Sequence, residues 1–139
     1  MKYFQTLSLV LALFIGSGVA PAWAADTDPL FINLTTDEPH RADMAMNFGL
    51  HHHENGHPLT IFLNDKAVLI GARSQAGKFV AQQKMLAELM SKGAVVLVCP
   101  MCMKHYGVVE ADLLPGLQVS NRKLSGDALF RDNTKSMSW

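Results

Sequence analysis

The sequence predicts an α/β protein, helices packed on a mainly parallel sheet, and three observations carry that reading. Short apolar or β-branched runs at 30–36, 58–64 and 94–98 alternate with helical patterns at 37–56 and 79–93. The run at 94–98, AVVLV, is apolar at every position, as in a strand buried on both faces of a parallel sheet. The joining segments are short, and no repeat or low-complexity tract interrupts them.

The elements follow in order. Residues 1–24, MKYFQTLSLVLALFIGSGVAPAWA, read as a secretory signal peptide: Lys2, an apolar stretch near Leu7–Ile15, then a small-residue Ala22-Trp23-Ala24 end. That stretch is broken by Gly16, Ser17 and Gly18 and is short for a membrane anchor. The expected product is a single domain, 25–139, periplasmic or secreted and outside the membrane. LFINLTT (30–36) is a strand. Asp37 or Glu38 caps the next helix, Pro39 takes its first position and Gly56 stops it. PLTIFLN (58–64) is a second strand, with KAVLIGA (66–72) as its extension or a small hairpin partner, and RSQAGK (73–78) is a polar loop. The helix at 79–93 turns Phe79, Val80, Met85, Leu86, Leu89 and Met90 inward. After AVVLV a short helix runs from Pro100 to Gly107. A brief strand lies near 117–120, a helix near 122–132, and TKSMSW closes the chain as a last strand.

Charge narrows the function classes. Removing Lys2 from the 12 basic residues leaves 11 against 12 acidic ones, a formal charge of −1, with no basic stripe. Nucleic acid is therefore not an expected partner.

In an open parallel sheet, ligands sit at the carboxyl ends of the strands. The only two cysteines, Cys99 and Cys102, fall there, in VCPMCMKHYG. With Cys99 as N-cap and Pro100 at the first helical position, the amides of the first turn point toward the Cys99 sulfur. That setting favours a thiolate, which makes Cys99 the better nucleophile candidate of the two. A structural staple is a poor use of so short a loop, worth about 2 kcal/mol against about 4–5 for a long one. Three readings stay open: an inert buried pair, a redox couple, and a soft-metal clamp using thiolates with Met101, Met103 or His105. A thioredoxin fold fits poorly, because the motif comes late in the chain. His53 and His57 have helical ligand spacing, but His57 lies past the helix stop, so solvated histidines at a helix end are the simpler reading.

Taken together, LFINLTTDEPHRADMAMNF, PLTIFLNDKAVLIGA, LVCPMCMKHYGV, GLQVSN and KSMSW resemble the DsrE/DsrF-like sulfur-relay proteins, which include the TusD-type subunits. The shared hallmark is an apolar strand, a cysteine, and a helix-ending glycine eight positions on, here Cys99 and Gly107. The resemblance implies a flavodoxin-like three-layer sandwich of about five strands, homo- or hetero-oligomers, and a cysteine that carries sulfur as a persulfide. By position that cysteine is Cys99, with Cys102 as second or resolving thiol. A sulfur donor or acceptor, protein or small molecule, is the expected partner; no cofactor and no resident metal is expected. Thr36, Asp37, His40, Asn64 and Arg73, at neighbouring strand ends, are expected to line the pocket. The alternative is a module that binds Cu(I) or cycles thiols through Cys-Pro-Met-Cys. Two features depart from the family pattern: the apparent export, and Pro-Met-Cys-Met-Lys-His after the first cysteine.

Overall fold

The computed structural model describes residues 27–139. The expected signal peptide at 1–24 lies outside the described residues. Five strands form one sheet: β1 Leu30–Leu34, β2 Leu59–Leu63, β3 Val95–Val98, β4 Gln118–Val119 and β5 Lys135–Ser138. Their order is β4-β3-β2-β1-β5, and every pairing is parallel. Four helices connect them: α1 Pro39–Glu54, α2 Ala76–Ser91, α3 Pro100–Tyr106 and α4 Arg122–Leu129. This is the predicted three-layer α/β/α sandwich.

The order of strands distributes the helices. From β1 to β4 the chain steps always in one direction, so right-handed crossovers place α1, α2 and α3 on one face. It then returns past β1 to add β5, and that reversal carries α4 across the other face. The two faces differ in chemistry. Leu30, Ile32, Leu34, Leu59, Ile61, Leu63, Val96 and Val98 are buried on the first. Gly49 of α1 lets its helix approach closely; a Cβ there would stand 2.9 Å from Ile32 Cδ1. The second face carries Phe31, Asn33, Phe62, Leu97, Ser136 and Ser138, and α4 above it has no buried residue.

Local signals set the helix ends. Glu38, not Asp37, caps α1, accepting from the amides of His40 and Arg41 at 3.0 and 2.8 Å. The layer pair α1–α2 is tied by Gln82 Nε2, which donates to Asp43 Oδ1 at 2.8 Å. Gln83 Nε2 donates to the Ala72 carbonyl, so both buried amides are satisfied.

Three expectations need correction. KAVLIGA is not a strand: residues Asp65–Leu69 form a 3-10 turn and Arg73–Gln75 another. The edges of β2 are already taken by β1 and β3, so the run folds back and buries Ala67, Val68 and Ile70 in the core instead. The segment 73–78 is not all loop, since α2 begins at Ala76. Val80 does not face inward; it is 68% exposed, because Phe79 leaves helical backbone angles and takes the inward position alone.

Candidate functional site

The site begins where β3 ends. The Cys99 amide still donates to Leu63 of β2, at 3.0 Å, so the ladder holds the residue in place up to the point where the helix starts. Cys99 is the N-cap of α3, Pro100 follows at the first helical position, and the Cys102 amide donates to the Cys99 sulfur at 3.4 Å. Gly107 ends α3 in the left-handed conformation at φ 70°, a geometry that favours glycine. Both predicted ends of this helix are present.

Cys102 is the more enclosed of the two thiols in its contacts. Its sulfur lies 2.8 Å from Cys99 Sγ and 3.0 Å from Asn64 Oδ1, and it accepts the Asp65 amide at 3.2 Å. Both cysteines are free and half-buried. Burial, and then the hydrogen bond to the Cys99 sulfur, push the Cys102 pKa up to about 11. Cys102 thus holds its proton more firmly than a free cysteine; its one S–H lies between Cys99 Sγ and Asn64 Oδ1, and its amide donates to Cys99 Sγ.

Asn64 is the hinge of the site. It terminates β2, and its side-chain oxygen also caps the turn that follows, where Asp65 takes a positive φ of 46°. Its amide nitrogen donates to Asn33 Oδ1 at 3.3 Å, and Asn33 donates to Ser138 at 3.4 Å. A polar thread therefore runs from the cysteines across the ends of β2, β1 and β5. On the other side, the Tyr106 hydroxyl donates to Asp65, which raises its pKa to about 12.

Of the residues proposed from sequence, the structure joins Cys99, Cys102 and Asn64 directly. Asp37 pairs with Lys78 at 2.7 Å and lies close enough to contribute to the raised Tyr106 pKa. Thr36 accepts from the Glu38 amide, and His40 gives its own amide to Glu38, so both serve the start of α1. Arg73 is held elsewhere, donating to the Ala111 carbonyl beside the Ser74–Asp112 pair. Sequence reasoning missed Asn33, Asp65 and Tyr106. Two signals were present: Tyr106 is four residues from Cys102, hence on its helical face, and Asn33 is a polar residue inside an apolar strand.

The soft-metal grouping does not assemble as a whole. Met101 is 81% exposed while Met103 is buried in the core, so the thioethers point apart. The histidines are engaged with backbone: His53 with the carbonyls of His57 and Lys92, and His57 with that of Asp28. Among the described residues no group of three or more His, Cys, Asp or Glu is arranged to hold a metal ion.

The structure is a doubly wound parallel α/β sandwich with a dithiol at a strand's carboxyl end, the edge where such sheets take ligands. The comparisons narrow this. The profile of the DsrE/DsrF-like family matches residues 30–128, and the chain belongs to that family. Membership points to sulfur relay as the general class of function. Among solved structures, the YchN protein of E. coli is similar at 18% identity and TM-score 0.66, covering 81% of this chain and 99% of its own. MTH1491 of Methanobacterium thermoautotrophicum, a protein of unknown function, is similar at 12% identity and TM-score 0.67, covering 80% and 98%. BT1422 of Bacteroides thetaiotaomicron, also of unknown function, gives 18% identity and TM-score 0.59, covering 81% and 95%. At such identities these likenesses concern the fold. No curated protein matches the chain.

Proposed function

We propose that this protein carries sulfane sulfur as a persulfide on Cys99, with Cys102 as the thiol that resolves it. The observation that carries the reading is the asymmetry of the pair. Cys99 Sγ stands at the helix start and accepts the Cys102 amide, while the single S–H of Cys102, whose pKa is raised, is shared between Cys99 Sγ and Asn64 Oδ1. In loading, the Cys99 thiolate attacks the outer sulfur of a persulfide or polysulfide; a new S–S bond forms, the donor's S–S bond breaks, and a thiolate leaves with the electron pair. In delivery, an acceptor thiolate takes the outer sulfur and restores Cys99. In resolution, Cys102 gives up its proton as it attacks Cys99 Sγ, the Cys99 S–S bond breaks and the outer sulfur leaves with that proton as hydrogen sulfide, and the resulting disulfide needs an external thiol reductant to reset. The 2.8 Å separation places the second thiol within reach without moving the backbone.

Export belongs to the same proposal, supported by the composition of residues 1–24. Among the described residues no helix is long and apolar enough to cross a membrane. Self-association is also proposed, supported by exposed Met44 and Val80 on the outer helices, and sedimentation checks it.

Intact-mass measurement after incubation with polysulfide tests the central step. The expected result is an adduct of about 32 Da, one sulfur atom, that accumulates in Cys102→Ser and is missing in Cys99→Ser. An adduct that survives Cys99→Ser overturns the assignment. The thiol-redox alternative is favoured by the same short distance; it predicts reversible disulfide formation in the untreated protein with no sulfur uptake at all.

A further inference from the structure

The return of the chain from β4 to β5 leaves a cavity of about 540 Å³ between α4 and the second face of the sheet. Its volume is that of a small-molecule site. Phe31 and Phe62, ring centroids 6.3 Å apart, form an apolar floor, and Leu129 of α4 lines the cavity from above. Asn33, Asn64 and Arg122 supply the polar lining. Arg122, exposed at the first position of α4, lines the rim and makes no ion pair with any described residue, so it is free to meet an anion there. It also lies where strand order reverses, the position at which open α/β sheets take ligands. Asn64 belongs to both sites: it lines the cavity and accepts from Cys102 Sγ at 3.0 Å.

We propose that this cavity binds a small organic anion with an apolar body, the leaving-group portion of an organic sulfane-sulfur donor. The floor would take the body, Arg122 the charge, and the reacting sulfur would pass Asn64 toward the cysteine pair. The substrate class rests on the persulfide reading of Cys99. Benzenethiosulfonate is a probe of this shape. The Cys99 thiolate attacks its terminal sulfur, the new S–S bond forms as the bond to the sulfonyl sulfur breaks, and benzenesulfinate leaves with the electron pair. Charge and electrons balance without an oxidant. Thiosulfate offers the same transferable sulfur and no apolar body.

Two measurements separate the cavity from the chemistry. The first is titration with benzenesulfonate, which cannot transfer sulfur, followed by amide chemical shifts in Cys99→Ser. Saturable binding with shifts at Phe62 and Asn64 is expected, weakened about tenfold by Arg122→Ala. It should also be weakened in Gly126→Leu, which places an isobutyl group into the cavity; a Cβ at Gly126 meets nothing within 4 Å, so the fold should tolerate the change. Absence of saturable binding, or equal binding in all variants, overturns the proposal. So does sedimentation showing that a second copy of the chain occupies this face and that benzenesulfonate only competes with it. The second measurement compares sulfur loading from benzenethiosulfonate and thiosulfate. Faster loading from the former, with the preference erased by Gly126→Leu, supports the proposal. Equal loading from both, with or without Gly126→Leu, overturns the cavity's role and leaves the Cys99 reading standing. Binding as expected with no loading from either donor overturns the Cys99 reading and leaves the cavity standing.

Discussion

The two faces of the sheet are built from the same strands, yet they follow different rules. Toward α1 and α2 the side chains of the first three strands are aliphatic and buried; Ile32, Leu34, Ile61 and Leu63 are fully so. Toward α4 the same strands present aromatics, amides and hydroxyls around open volume. Since burial of apolar area stabilises in proportion to the area removed from water, most of the fold's stability should come from the first face. The second is left to hold polar groups around open volume. Structure and chemistry are thus divided by alternation along each strand.

The largest expected effect tests that division directly. Ile61→Ala and Phe62→Ala are neighbours in β2 that point to opposite faces. Ile61→Ala should lose about 2–5 kcal/mol of unfolding free energy, and Phe62→Ala less, although phenylalanine is the larger side chain. Urea denaturation at unchanged slope decides it, and the reverse ranking breaks the comparison. Glycines make the next test. Gly49→Ala drives a methyl against Ile32 and Leu59 and should cost about 1–3 kcal/mol, whereas Gly126→Ala on α4 should stabilise by up to about 1 kcal/mol. A similar thermal shift from both would mean the α4 face is packed as tightly as the other.

Smaller effects sharpen the site. Gly107→Ala must place a side chain at φ 70°, at about 1–2 kcal/mol, and because α3 is short its melting should loosen Cys102 as well. The Cys102 pKa is raised in the folded protein from an ordinary value near 9.0 to about 11. Below pH 9 both states hold the proton and nothing changes. Between 9 and 11 the unfolded chain ionises first, so stability falls as pH rises through that window. Cys102→Ala should flatten this slope between pH 9 and 10 in chemical denaturation followed across pH; above 10 the raised Tyr106 pKa adds a fall of the same sign. Asp65→Asn should bring the Tyr106 titration, read by phenolate absorbance, down from about 12 toward its ordinary value of 10.0.

Much of this was legible in the residues because the signals were local. AVVLV reads as a strand buried on both faces, Pro100 as a first helical residue and Gly107 as a stop, and each depends only on near neighbours. KAVLIGA was misread as extended because its β-branched content suits a strand, while the reason it cannot pair is that β1 and β3 already flank β2. The Cys102–Asn64 contact spans 38 residues of sequence and Tyr106–Asp65 spans 41. No spacing rule reaches that far: Asn64 was reachable because it ends a strand on the same edge as the cysteines, whereas the Tyr106–Asp65 pair appears only once the fold is known. Val80 failed for a different reason: helical periodicity assumes regular backbone, and Phe79 departs from it.

The crossing made by α4 has one more consequence. Because the helix contributes no buried residue, the segment between β4 and β5 is close to an exchangeable cover, joined to the sheet mainly at its two ends. Grafting a different 120–134 segment should change the lining of the cavity while the dithiol and the aliphatic layer beneath α1 and α2 stay as they are. Selectivity and foldability would evolve on separate schedules in one small chain.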